Sequence, residues 1–328
     1  MEIFPGIFQI KLPLRNNPAG HINTYLLKGN DGWVLVDTGW DDLSALDELS
    51  RQLGNIGIRI EDISLVIYTH IHPDHYGLAG VLKQKYGTKL VLHRRGKDSI
   101  VHRYFGKETF IKELADWHLI NGGSQDHADA VEVMSIDYIG HVSPVLPDTF
   151  LDAGDIISTG QFSLEVIWTP GHDQDHICLY EPENRVLLCG DHILPDTVTH
   201  VGIQTECTEN PLLDYVNSLK AIRHLDVEAV LPAHEYIFNN FSDRIDSSLY
   251  YHNRVHSEII NGLSDGPKTA YGISETINWT ESPVQWKSLP VLVQALFATK
   301  TLAYLKALVM ESKVQRVDKY GLTVYNAT

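Results

Sequence analysis

Along the first half of the chain, short apolar runs alternate with segments of helical period. Residues 3–12 and 22–27 have the β-branched and aromatic content of strands, and residues 33–36 form an apolar run ending in Asp37-Thr38-Gly39. Asp41 or Asp42 then stands where a helix N-terminus belongs. Leu43, Leu46, Leu49 and Leu53 recur on one helical face until a stop near Gly54. Residues 65–68 predict a buried strand that delivers the chain into His70-Ile71-His72-Pro73-Asp74-His75, and Leu78, Val81, Leu82 and Tyr86 predict a helix closed by Gly87. From about 96 to 140 the pattern changes. Aromatic and histidine residues, among them His102, Phe110, Trp117 and His118, alternate with charges, which predicts two helical stretches inserted over the main fold. Strands resume at 162–168, 177–180, 186–189 and 227–231, with a helix over 211–225 capped by Asn210 and opened by Pro211. Beyond 246 the alternation ends: helices over 246–262 and 288–311 precede two strand-like runs, 314–317 and 322–325, around Tyr320-Gly321. The chain thus divides into an α/β domain of residues 1–245, with an insertion at about 96–140, and a C-terminal helical, winged-helix-like segment of 246–328.

Composition adds constraints. Of 328 residues, 43% are hydrophobic and 21% charged, the balance of a globular chain. No uninterrupted apolar run approaches a membrane span, and the N-terminus lacks a basic stretch followed by an apolar one. Three cysteines make no disulfide framework, so a reducing cytoplasm is the expected location, with no membrane association. A formal charge of −16 opposes nonspecific nucleic-acid binding, which needs Lys and Arg to displace counterions. The 17 histidines matter more, because neutral imidazole is the commonest metal ligand.

His70, His72, Asp74 and His75 place four donors within six residues at a strand end, while Pro73 restricts His72 and lowers the entropic cost of the turn. Four exceed the three protein ligands of an open catalytic zinc site, so division between two ions is the economical reading. Three later strand ends offer further donors: Thr169-Pro170-Gly171-His172, Cys189-Gly190-Asp191 and Pro232-Ala233-His234. Two divalent ions about 3.5–4 Å apart would share a water, deprotonate it near neutral pH and polarise a carbonyl or phosphoryl oxygen.

The HxHxDH segment followed by separate His, Asp and His loops resembles the metallo-β-lactamase superfamily. The similarity runs over roughly residues 1–245, and its thioesterase and lactonase branch, typified by glyoxalase II, is the nearest in pattern. The resemblance implies a four-layer αββα sandwich of two mixed β-sheets flanked by helices. It implies that His70, His72 and His172 hold one ion, that Asp74, His75 and His234 hold the other, and that Asp191 bridges them. Zinc is the default metal, with iron, manganese or cobalt also accepted by such donors. Asp74 and Asp191 would take part in catalysis, Asp74 as a proton shuttle. Asp37 and His176 are expected to orient the ligands through hydrogen bonds rather than to ligate.

Hydrolysis of a thioester, lactone or related acyl ester by the metal-bridging hydroxide is the expected activity. The stretch His234-Glu235-Tyr236, similar to a glyoxalase II loop, puts Tyr236 against substrate, and His192 beside Asp191 is a second candidate contact. Asp175 replaces the usual glycine before His176, and a basic glutathione-binding cluster is not evident. A ribonuclease or phosphodiesterase of the same superfamily, or an iron-dependent persulfide dioxygenase, is the alternative. The expected partner is a small-molecule acyl substrate. His252 and Arg254 are assigned to packing, and the C-terminal segment to packing or homodimerisation.

Overall fold

A computed structural model describes residues 1–203, 208–279 and 284–328; Cys207 lies outside them. Fourteen strands and ten α-helices are present among these residues. The first sheet contains β1 (Glu2–Phe4), β2 (Ile7–Pro13), β3 (His21–Lys28), β4 (Trp33–Val36), β5 (Ile63–Ile67), β6 (Lys89–His93) and β7 (Thr149–Leu151), adjacent in chain order. Pairing is antiparallel from β1 to β4 and parallel from β4 to β7. The second sheet contains β8 (Ile156–Ser158), β9 (Ser163–Trp168), β10 (Ile177–Glu181), β11 (Val186–Gly190) and β12 (Ala229–Pro232), in the order β12-β11-β10-β9-β8. Only β11 and β12 pair in parallel there. Strands β13 (Val314–Lys319) and β14 (Leu322–Ala327) form a separate hairpin.

The helices are α1 (Leu43–Asn55), α2 (Pro73–Tyr76), α3 (Ala79–Tyr86), α4 (Gly96–Ile100), α5 (Lys107–Ile120), α6 (Gln125–Gly140), α7 (Pro211–Ile222), α8 (Phe241–Gly262), α9 (Ala270–Ser274) and α10 (Val291–Met310). Three apolar layers separate four structural ones, which is the expected αββα order. Ile7, Leu27, Val36 and Ile67 of the first sheet meet Leu164, Leu179, Val186 and Leu231 of the second. The outer face of the first sheet packs on α1, α3 and the insertion through Leu26, Val66, Leu49, Leu82 and Phe110. The outer face of the second packs on α7, α8 and α10 through Leu187, Val230, Leu219, Val255 and Leu305. Alternation along each strand sends successive side chains to opposite layers, so both sheets are covered on both faces.

Local signals act where expected. Asp42 caps α1 by accepting from the Ala45 N–H at 2.7 Å, and Asn210 caps α7 by accepting from the Leu213 N–H at 3.1 Å. The expected strand over 3–12 is two: Pro5 fixes its own φ and Gly6 adopts φ +82°, folding β1 back onto β2. Leu43, expected on the buried face of α1, is 80% exposed. The helix expected from 246 begins at Phe241, because Phe241 and Ile245 already belong to the core under the second sheet. The C-terminal helices continue that core. Helix α10 is long and apolar enough to cross a membrane by composition, yet it is mostly buried inside the molecule.

His252 lies within this C-terminal packing, its Nδ1 2.5 Å from the Tyr304 hydroxyl, and Arg254 pairs with Glu258. Burial, with Lys300 nearby, lowers the His252 pKa to about 3. The unfolded chain takes up this proton near pH 6.5 and the folded chain only near 3, so stability contributed by neutral His252 is present above 6.5 and lost as pH falls from 6.5 toward 3. His252→Gln is expected to shallow the decline of melting temperature over that interval, read from thermal melts in a pH series.

Candidate metal centre

The parallel strands of the first sheet bring the turns after β4 and β5 to one edge. In the second sheet the loop before β10 and the turns after β11 and β12 reach the same place. A backbone bond joins the two sets, the Ile177 N–H donating to the Thr69 carbonyl at 2.9 Å, and within the second set the Ala233 N–H donates to the Gly190 carbonyl at 2.9 Å. Pro73 occupies the first turn of α2, which turns Asp74 and His75 back toward the strand ends.

All seven predicted ligands converge. Ligand atoms of His70, His72 and His172 lie within 4.8 Å of one another, as do those of Asp74, His75 and His234, and those of His70, His75 and Asp191. His172 Nε2 is 3.0 Å from His72 Nδ1, and His234 Nε2 is 3.1 Å from Asp74 Oδ2. Asp191 stands between the groups, Oδ2 3.5 Å from both His75 Nε2 and His172 Nε2, and Oδ1 3.5 Å from His234 Nε2.

Each far-side ring nitrogen is held by the protein. His75 Nδ1 lies 2.8 Å from Asp37 Oδ2, His172 Nδ1 2.8 Å from the His200 carbonyl, and His234 Nδ1 3.2 Å from the His21 carbonyl. Asp37, at φ +61°, also accepts from the Thr69 N–H at 2.9 Å and the Thr69 hydroxyl at 2.8 Å. His176 Nε2 accepts from the Asp191 N–H at 3.1 Å. By contrast, His70 Nε2, His75 Nε2 and Asp191 Oδ1 are buried with no hydrogen-bond partner among the described residues. Buried polar atoms are ordinarily paired, so three orphans aimed at one centre fit a cation.

The charges say the same. Burial pushes the Asp191 carboxyl up, but His234 and His75 beside it hold it well below the usual carboxylate range. Burial works against a proton on His234, yet Asp191 and Asp74 raise its pKa to about 9, whereas burial and His72 lower His172 to about 4. Protonated imidazoles thus balance the carboxylates where divalent ions would displace those protons.

The cluster floors a cavity of ≈1230 Å³, to which His72, Asp74, His172, Asp191 and His234 contribute. Helices α5, α6 and α10 supply an apolar wall that includes Phe110, Val131, Met134, Leu292 and Leu296, and Arg15, Asp47 and Asp137 also line the cavity. Neither Tyr236 nor His192 lines it. Glu235, at φ +66°, turns the chain so that the 51%-exposed Tyr236 bonds to Asp196 at 2.7 Å. His192 is fully buried, with its ring against Tyr215 and His176. Sequence reasoning passed over Thr69, the His200 carbonyl and Asp173, whose Oδ2 lies 3.2 Å from His72 Nε2. The carboxylate directly after His172 was a readable signal; the carbonyl was not.

The family model of the metallo-beta-lactamase superfamily matches residues 17–234, and the chain belongs to that superfamily. It is 24% identical over 267 residues to the probable metallo-hydrolase YqjP of Bacillus subtilis, covering 79% of this chain and 81% of that protein. A hydroxyacylglutathione hydrolase of Francisella tularensis subsp. novicida is 36% identical over 117 residues, 33% of this chain and 44% of its own length. The crystal structure of a metallo-beta-lactamase family protein from Thermus thermophilus superposes with TM-score 0.84 at 26% identity, covering all of both chains. The protein is thus a metallo-hydrolase by family, with a His/Asp cluster able to bind metal.

Gly171, at φ +135°, presses its backbone onto α7: a Cβ there would lie 2.3 Å from Tyr215 Cβ and 2.5 Å from its Cα. Gly171→Ala must therefore shift either α7 or the loop that carries His172, at a cost of about 1–3 kcal/mol from backbone strain alone. Metal content of the purified variant, measured by mass spectrometry, is expected to fall below that of wild type.

Proposed function

We propose that the chain is a binuclear metal-dependent hydrolase of acyl esters, acting on thioesters, lactones or related compounds with an apolar acyl chain. The position of Asp191, within 3.5 Å of ligand nitrogens from both groups, carries the binuclear part of this reading. His70, His72 and His172 would hold one ion and Asp74, His75 and His234 the other, with Asp191 shared. Zinc is the default occupant, and iron, manganese or cobalt suit the same donors. Bound ions would supply a nucleophile at neutral pH and polarise the scissile carbonyl.

The chain's own groups supply the rest. Asp74 faces the cavity and bonds His234 through one oxygen, so it is placed to pass a proton to the leaving group. Thr199 donates to the Asp191 carbonyl at 2.8 Å and His176 accepts from its N–H, which fixes this residue on both sides. The apolar wall of α5, α6 and α10 excludes water from one side of the cluster and suits an alkyl chain. Similarity to a hydroxyacylglutathione hydrolase over 117 residues supports carbonyl chemistry.

Two outcomes test this. Wild type should bind two ions per chain, and Asp191→Ala should lose both together with turnover, by about a thousandfold or more given the several kcal/mol that metal stabilisation supplies. Mass spectrometry and a panel of acyl thioesters, lactones and single-stranded RNA provide the readouts. In a chain-length series kcat/KM should rise by up to about fourfold per added methylene, from ~0.8 kcal/mol per buried CH₂. Met134→Trp, which fills the apolar wall, should end that rise at a shorter chain.

A further inference from the structure

The insertion does more than wall the cavity. Helix α4 runs directly into a π-helical turn, Val101–Phe105, closed by the Gly106 N–H on the Val101 carbonyl at 2.8 Å. Such wide turns are uncommon and concentrate at functional sites. Here the turn sends two consecutive side chains, Arg103 and Tyr104, into the protein, while Val101 and Phe105 on either side face outward. Tyr104 donates its hydroxyl to the carbonyl of Ile71, the residue between His70 and His72. Arg103 donates to Asp173 Oδ2 at 3.2 Å, and the same oxygen lies 3.2 Å from His72 Nε2. One turn upstream, Ser99 Oγ accepts from Gln174 Nε2 at 2.6 Å. The α4 segment therefore grips both loops that supply His70, His72 and His172.

We propose that Arg103 is a positioning residue for His72, acting through Asp173, so that the insertion forms part of the metal centre. The chain of contacts is Arg103 to Asp173 to His72 Nε2, and it leaves His72 Nδ1 facing His172 Nε2 at 3.0 Å. A carboxylate on the far nitrogen fixes the tautomer and orientation of a ligating imidazole and raises its donor strength. Arg103 shares that carboxylate oxygen, so it holds Asp173 in place and moderates its pull on the ring proton. Its planar fork suits this role better than a lysine ammonium. Tyr104 steadies the intervening peptide but carries no charge to the ligand.

The inference rests on reading the cluster as a metal centre, and titration of metal-free protein with Co²⁺ tests the two separately. Binding is followed by visible absorption for wild type, Arg103→Gln, Arg103→Lys and Tyr104→Phe. Arg103→Gln should weaken one of the two ions about 10–100-fold and shift its absorption band, with the other ion little changed. Arg103→Lys should recover part of that loss, and Tyr104→Phe should leave the band in place. If Arg103→Gln does not fold, Asp173→Asn carries the same test and should weaken the same ion. Wild-type affinity and spectrum in Arg103→Gln would overturn the proposal. So would equal loss of both ions accompanied by a lower melting temperature of the metal-free protein, the mark of a general packing role. Wild type that binds no Co²⁺ would overturn the metal-centre reading and this inference with it.

Discussion

The carboxylate of Asp37 fixes the geometry from which the ligand cluster is built. It accepts from the Thr69 N–H and hydroxyl and faces His75 Nδ1, so one buried side chain ties the end of β4 to the end of β5 and to α2. The adjacent peptide adds to this: the Asp37 N–H donates to the Ile67 carbonyl, and Thr38 donates twice to the His75 carbonyl. A buried carboxylate is costly unless its oxygens are used, and both are. The left-handed backbone at Asp37 costs something as well, and it is held by strand pairing on one side and the HxHxDH turn on the other. Thr69 extends the arrangement by reaching His70 Nδ1 at 3.1 Å. Protein contacts thus orient the imidazoles toward one centre, the preorganisation a binding site requires.

Much of this site was legible because its donors sit at strand ends, where local sequence decides direction. His70-Ile71-His72-Pro73-Asp74-His75 announces itself, and the caps at Asp42 and Asn210 carry their own signal. Strands β2 to β5 of the first sheet and β9 to β12 of the second could be read from apolar runs. Strands β6, β7 and β8 could not, because runs of only three to five residues, although flanked by turns at Gly87, Gly154 and Gly160, owe their pairing to neighbours far along the chain. The direction of a side chain after a turn was equally hidden. Similarity of the His234-Glu235-Tyr236 stretch pointed Tyr236 at substrate, but a positive φ at Glu235, stabilised by Asp196 and Thr197 amides on its carboxylate, sends it elsewhere. Arg103 illustrates the deepest limit: its partner Asp173 is seventy residues away, and no local pattern connects them.

The insertion's anchorage bears on whether it moves as a lid. At one end Arg103 and Tyr104 bond to the ligand loops. At the other, His118 Nδ1 lies 2.7 Å from the Tyr271 hydroxyl, and His127 Nε2 lies 3.0 Å from Gln294 Oε1, so α5 and α6 are tied to α9 and α10. Lifting the whole insertion would break all of these contacts. At roughly 1 kcal/mol for each net hydrogen bond, and more for the charged one, the open form would lie several kcal/mol above the closed one even before exposure of Phe110 and Ile139 is counted. A gap of that size leaves the open state at well under about 1% of molecules. Access to the cluster does not then call for displacement of the helical pair, because a cavity already reaches it with the insertion in place. On the reading proposed above, a fixed apolar wall beside the cluster lets an alkyl chain pack on α5, α6 and α10 while the reacting carbonyl rests over the ligands. Because the same insertion also braces His72, changes that reshape the wall and changes that retune the ligands are mechanically linked.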